Sequence, residues 1–119
     1  MSKFMLLLHD NVEGFMAMSP EQMQKVIEKY VIWGDRLRAS GVIHDGQKLT
    51  DEPGRVLRSA GGQVRVTDGP YSETKEVLGG YYTINASDYG KAIEVARTCP
   101  HLEYGGTIEV RQVDTMGAE

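Results

Sequence analysis

The sequence is short of several things, and each shortage narrows what the chain can do. It carries one cysteine, Cys99, in 119 residues. No disulfide can therefore close within it, nothing marks it for an oxidising compartment, and cytoplasmic residence is expected. Long apolar runs are missing too. The longest, Phe4-Met5-Leu6-Leu7-Leu8, is too brief for a membrane span or the core of a secretion signal. Nor is there an excess of positive charge: 13 Lys and Arg stand against 17 Asp and Glu, a formal net charge of −4. That balance leaves no broad basic field for a phosphate backbone, so neither nucleic acid nor a membrane is expected as a partner. Neither a dinucleotide-binding glycine fingerprint nor a P-loop occurs, and no cofactor is expected. The sequon Asn85-Ala86-Ser87 would matter only in a secreted protein and reads as accidental.

What is present is ordinary for a globular chain, with 40% hydrophobic and 25% charged residues. The length suits a single domain over residues 1–119 with one modest core. Lys3 to His9 reads as a strand that is apolar on both faces, with Phe4, Leu6 and Leu8 on one and Met5 and Leu7 on the other. Ser19-Pro20-Glu21-Gln22 is a helix start in which Ser19 caps, Pro20 takes the first helical position and Gln22 completes a capping box. Met23, Val26, Ile27, Tyr30, Gly34 and Leu37 then share one helical face, flanked by Val31 and Trp33, up to Gly41 as a left-handed terminator. Val42 to Lys48 is a second strand. Arg55 to Ser59 and Gln63 to Thr67 form a hairpin around Ala60-Gly61-Gly62, and Asp68 to Gly79 reads as a polar loop. Gly80 to Ala86 is a further strand. A helix capped by Ser87 or Asp88 follows, burying Tyr89, Ala92, Ile93, Ala96 and Cys99 and stopping before Pro100, and a last strand runs from Gly106 to about Val113.

Without the hairpin this order is β-α-β followed by β-α-β. It predicts an α+β fold, a ferredoxin-like split βαβ arrangement with an inserted β-hairpin and both helices on one face of the sheet. The other face would carry Met5, Leu7 and His9, then Tyr81 and Thr83, then Thr107, Glu109 and Arg111. It is partly apolar, and pairing with a second copy through a two-fold axis would cover it and enclose its polar residues in a cleft.

One stretch is more specific. Val66-Thr67-Asp68-Gly69-Pro70-Tyr71-Ser72-Glu73-Thr74-Lys75-Glu76, followed by Leu78-Gly79-Gly80-Tyr81-Tyr82, resembles the signature of the YCII-related family in its DGPF-motif subgroup, with Tyr71 in place of the usual Phe. Cys99-Pro100-His101 and Gly105-Gly106-Thr107-Ile108-Glu109-Val110-Arg111 extend the resemblance over nearly the whole chain. The resemblance implies a dimeric α+β barrel. It also implies kinship with proteins encoded beside extracytoplasmic-function sigma factors, and with enzymes that act on chlorinated muconolactones by proton transfer assisting loss of chloride. The wider family's proposed active site pairs a His of the first helix with an Asp. This first helix contains no His, and Tyr30 stands at roughly that place.

Several residues are candidates for chemistry, each with a plainer reading beside it. Asp68 ends a strand before Gly69-Pro70, where it can serve as a general base or simply shape the turn. His101, at the exit of the second helix, can exchange protons near neutral pH with Asp68 orienting it, or rest against the helix dipole. Glu109 and Arg111 share a strand face. Arg111 suits the two-pronged grip of a substrate carboxylate, whereas a Glu109–Arg111 pair would only brace the cleft wall. His9, Tyr71 and Tyr81 complete the expected ligand-binding set around a small polar or anionic molecule. His9-Asp10 and His44-Asp45 resemble metal-ligand pairs, but strand neighbours point to opposite faces, and no metal site is expected. Cys99 and the methionines at 16, 18 and 23 fit packing roles. Two functions stay open: a small-molecule enzyme using Asp68 or His101 for proton transfer in a dimer cleft, or a non-catalytic metabolite-sensing module linked to sigma-factor signalling. The dimer is testable directly. Light scattering at micromolar concentration is expected to give about twice the 13.2 kDa chain mass, and a monomer persisting well above that concentration contradicts it.

Overall fold

The structure is a computed structural model that describes residues 1–11, 17–52, 54–69 and 76–115. Among the described residues, six strands and two helices follow one another: β1 (Ser2–Asn11), α1 (Pro20–Ala39), β2 (Ile43–Lys48), β3 (Arg55–Ala60), β4 (Gln63–Asp68), β5 (Glu76–Ala86), α2 (Tyr89–Arg97) and β6 (Thr107–Gln112). A short 3-10 helix, Pro100–Tyr104, precedes β6. The fold is mixed α+β. Four strands form one sheet in the order β2-β5-β1-β6, and β3 and β4 pair only with each other in a second, two-stranded sheet. Every neighbouring pair is antiparallel. The four-stranded sheet is open, with β2 and β6 as its edges, and does not close into a barrel within the chain.

Strand alternation decides which face is covered. Phe4, Leu6 and Leu8 of β1 and Ile84 and Ala86 of β5 are buried in one cluster with Trp33 of α1 and Ala92 and Ala96 of α2. Both helices therefore lie on the same face of the sheet. Trp33 packs edge-on against Tyr82 with ring centroids 5.1 Å apart, and its indole N–H donates to Thr98 Oγ1 at 2.8 Å. The opposite face is set by register. Met5 lies between Thr83 and Arg111, and Leu7 between Tyr81 and Glu109.

Local chemistry explains the helix ends. Ser19 accepts from the Gln22 backbone N–H, while the Gln22 side chain accepts from the Ser19 backbone N–H, the reciprocal capping box its spacing predicts. At the other end Gly41 is left-handed at φ 80°, and Val42 N–H reaches back to the Leu37 carbonyl. Asp88, not Ser87, caps α2.

Four sequence expectations need correction. The reading of Asp68 to Gly79 as loop fails at its end, because Glu76, Val77 and Leu78 find strand partners in Asn11, Asp10 and His9. Helix α2 stops before Pro100 as expected, but at Arg97, so that Cys99 lies beyond it; the Thr98 hydroxyl turns back to the Val95 carbonyl at 2.7 Å. Tyr89 and Ile93 are exposed rather than buried. Tyr89 sits at the rim, its ring edge-on to Phe4 and its hydroxyl accepting from Gln112 N–H at 2.8 Å. Ile27 and Val31 are likewise exposed, because the buried stripe of α1 runs through Val26, Trp33 and Gly34.

No helix among the described residues is long and apolar enough to cross a membrane. The core assignment makes a stability prediction. Leu6→Ala is expected to cost about 2–5 kcal/mol by chemical denaturation, while Ile32→Ala, on the outer side of α1, stays within about 0.5 kcal/mol.

Candidate active site at the end of strand β1

Among the described residues, the only buried polar or charged side chain is His101, 2% exposed. A buried imidazole must satisfy two nitrogens, and both are met. Nδ1 lies 2.6 Å from the Tyr30 hydroxyl, and Nε2 lies 2.8 Å from the His9 carbonyl oxygen. A carbonyl can only accept, so Nε2 carries the proton. Nδ1 of the neutral ring then accepts from the Tyr30 O–H. Burial pushes the Tyr30 phenol well above its ordinary value, which keeps it a donor.

Beside this ring stands the Asp10 carboxylate, 3.8 Å from His101 Nε2. Its side chain is 27% exposed, so Asp10 is the member of the pair that meets solvent. Burial raises the Asp10 carboxyl above its ordinary value of 3.8, Asp51 adds to the rise, and His101, Lys48 and His9 pull it back. A carboxyl raised in this way, next to an imidazole, is suited to taking and returning a proton.

Two glycines make room for the pair. A Cβ at Gly79 would run into the Asp10 carboxylate, and one at Gly106 into the His101 ring. Gly79 sits where the β1–β5 register shifts between Leu8 and His9, so the irregularity and the carboxylate occupy the same place.

Strand alternation turns His9 the other way. Its Nε2 lies 3.3 Å from Glu109 Oε1, and Arg111 Nη1 donates to Glu109 Oε2 at 3.3 Å. Arg111 and His9 hold the Glu109 carboxyl below the usual carboxylate range. His9, Glu109 and Arg111 therefore form one row on the open face, with Tyr81 close by on β5, its hydroxyl 3.4 Å from Asp45 Oδ2.

Of the residues expected from sequence, the structure brings together His9, Glu109 and Arg111, and it puts His101 in contact with the backbone of His9. The carboxylate beside His101 is that of Asp10 and not that of Asp68. Asp68 ends β4 on the separate hairpin, its side chain 88% exposed and 3.3 Å from Arg55 Nε. Tyr71 lies outside the described residues, as does the segment from Ser72 to Lys75. Sequence reasoning passed over Asp10, Tyr30 and Lys48 as site residues. The available signal was the pair of double glycines, Gly79-Gly80 and Gly105-Gly106, each at or near a strand start, where close approach of another group is a standing reason for glycine.

The sequence matches the YCII-related domain over residues 2–116, and the chain belongs to that family. A curated relative, an uncharacterized protein of Rhizobium meliloti (strain 1021), is 39% identical over 57 residues, covering 47% of this chain and 46% of the relative. The chain thus spans about half the length of the curated relative it matches.

The raised Asp10 carboxyl gives a signed pH prediction. The folded protein binds this proton more tightly than the unfolded chain does. Asp10 therefore favours the fold below the ordinary value of 3.8 and opposes it increasingly as pH rises through that value to the raised folded one. Asp10→Asn removes the opposition. It is expected to melt no lower than the parent at pH 7, with an advantage that grows upward from about pH 4 and then levels off. A variant clearly less stable at pH 7 contradicts this. Tyr30→Phe leaves Nδ1 of His101 without its donor and is expected to cost about 1–3 kcal/mol, with the change visible in the imidazole 15N resonances.

Proposed function

We propose that this chain is a proton-transfer enzyme of the DGPF-motif subgroup, acting on a small polar or anionic molecule. In this reading Asp10 carries the proton and the buried His101 ring braces it. The observation that carries the proposal is the placement of a partly exposed, raised carboxyl against a buried imidazole whose other nitrogen is held by Tyr30. The chemistry that the family resemblance assigns to a His on the first helix is here redistributed. Tyr30 of α1 takes the helix position, and the imidazole comes from the 3-10 helix after α2.

When Asp10 removes a proton from a substrate carbon, the product anion is left beside a neutral Asp10 carboxyl, and Asp10 then returns the proton or leaves it to solvent. Lys48 already acts on the Asp10 carboxylate and is a nearby cation for an anionic substrate; Arg111 serves the same end from the open face. Strand order β2-β5-β1-β6 with both helices on one face supports a ferredoxin-like split βαβ reading. The half-buried Met5 and Leu7 on the other face support a homodimer in which two such sheets meet as an α+β barrel, in the cytoplasm.

A second reading rests on one observation. His101 is buried with both nitrogens engaged, which suits a rigid binding module that recognises a metabolite through Asp10 without turning it over. Incubation in D2O with a panel of small carboxylates, keto acids and lactones separates the two. The enzyme reading expects loss of a substrate C–H signal by 1H NMR, with the rate falling about 100-fold or more in Asp10→Asn. Amide shifts around Asp10 without any exchange support the binding module. No exchange and no shifts across the panel contradict both.

A further inference from the structure

Lys48 is the cation that the candidate site offers to an anion, and in the resting chain it is already taken. Its ammonium donates to Asp51 Oδ1 at 3.3 Å and to the Leu49 carbonyl oxygen at 3.0 Å. The ladder sets where this pair stands. The Asp10 carboxylate lies where a Cβ of Gly79 would be, and the Gly79 carbonyl accepts from Leu49 N–H at 2.8 Å. Strand β5 runs between β1 and β2, so Asp10 and the Lys48–Leu49 end of β2 flank the same glycine, one on each side.

The two holds on Lys48 differ in kind. The Leu49 carbonyl belongs to a residue tied to β5, whereas the Asp51 side chain is fully exposed and pairs with an ammonium that is itself 76% exposed. An ion pair so open to water is weak. Asp51 can therefore leave while the Leu49 carbonyl still directs Lys48. Glu52 does not compete for the place, because it is engaged with Arg55 at 2.9 Å. The electrostatics at Asp10 suit an exchange of one carboxylate for another. Burial raises the Asp10 carboxyl most and Asp51 adds to the rise, while His101, Lys48 and His9 lower it. A carboxylate that replaces Asp51 on Lys48 leaves the local charge as it was, so the acid keeps its raised setting when the site is filled.

We infer that Asp51 keeps the seat of the substrate's carboxylate: a small carboxylate displaces it from Lys48, and the acidic C–H of that molecule then lies beside Asp10. The inference rests on the proton-transfer reading above and names its substrate class. It makes Asp51 a specificity residue. An uncharged molecule has nothing to offer Lys48 in exchange and leaves the internal pair closed.

NMR titration of the full chain at constant ionic strength tests it, with acetate as the probe and acetamide as its uncharged counterpart. Both side chains of the pair are exposed, so substitutions there are expected to leave the fold intact. In Asp51→Asn acetate is expected to bind about threefold more tightly or better, with no such gain for acetamide. The Asp10 carboxyl, followed by 13C, is expected to titrate lower than in the parent. Lys48→Gln is expected to weaken acetate about threefold or more, to make Asp10 titrate higher, and to cancel the gain from Asp51→Asn when the two are combined. If acetate binds neither the parent nor Asp51→Asn, or binds without regard to both substitutions, Asp51 is a surface counter-ion and the inference fails. An Asp10 titration that neither variant moves overturns it as well. Failure of the proton-transfer reading is a different result: no substrate C–H exchanges in D2O, while acetate still follows the two substitutions with the signs given, which keeps the carboxylate seat and discards the enzyme.

Discussion

Burying an imidazole commits the surrounding chain, because each ring nitrogen needs a partner of the right kind in a fixed direction. In this protein the commitment is met by three elements far apart in sequence: the Tyr30 hydroxyl from α1, the His9 carbonyl from β1, and the 3-10 helix that carries His101 itself. The arrangement ties the helical layer to the end of the central strand at one polar point. It also demands space that only Gly106 leaves free. Remove any of these and a buried donor or acceptor is stranded, which costs more than an ordinary hydrogen bond is worth. The end of β1 is therefore both the best-braced polar part of the fold and the place where a raised carboxyl reaches solvent.

The architecture was largely legible in the sequence because it is written in local patterns. Alternation in Phe4-Met5-Leu6-Leu7-Leu8 announces a strand with two covered or coverable faces, and the faces are as read. Ser19, Pro20 and Gln22 announce a helix start that the capping hydrogen bonds reproduce. The errors fall where a local pattern met a distant partner. Glu76 to Leu78 looked like loop beside two glycines, yet β1 supplied a ladder for them. Tyr89 looked buried by periodicity, yet a short helix at the rim leaves its ring half in water.

The candidate site was less legible, and for a physical reason. Tyr30 and His101 are 71 positions apart, and His9 and His101 are 92 apart. No periodicity links them, and each has an adequate local explanation alone: Tyr30 as part of an apolar stripe, Asp10 as one half of a His-Asp doublet. His101 was visible as a titratable residue, but its carboxylate partner was sought in the conspicuous Asp-Gly-Pro motif rather than in an unremarkable strand end. Glu109 and Arg111 were placed correctly because two residues on one strand face are a local relation, and there the plainer reading, an ion pair, is present as well.

The register shift between Leu8 and His9 has a further consequence, for how the strands find each other. An antiparallel ladder buried on one face can slide by two residues and still keep its apolar side inward, so alternation alone does not proofread pairing. Here a slide of that size would bring Val77 or Tyr81 to the place of Gly79, and either would put a Cβ where the Asp10 carboxylate lies. The bulge acts as a key cut for one lock. Strands β1 and β5 can mate along their full length in a single alignment, and the acid that occupies the notch is the same group that the site needs.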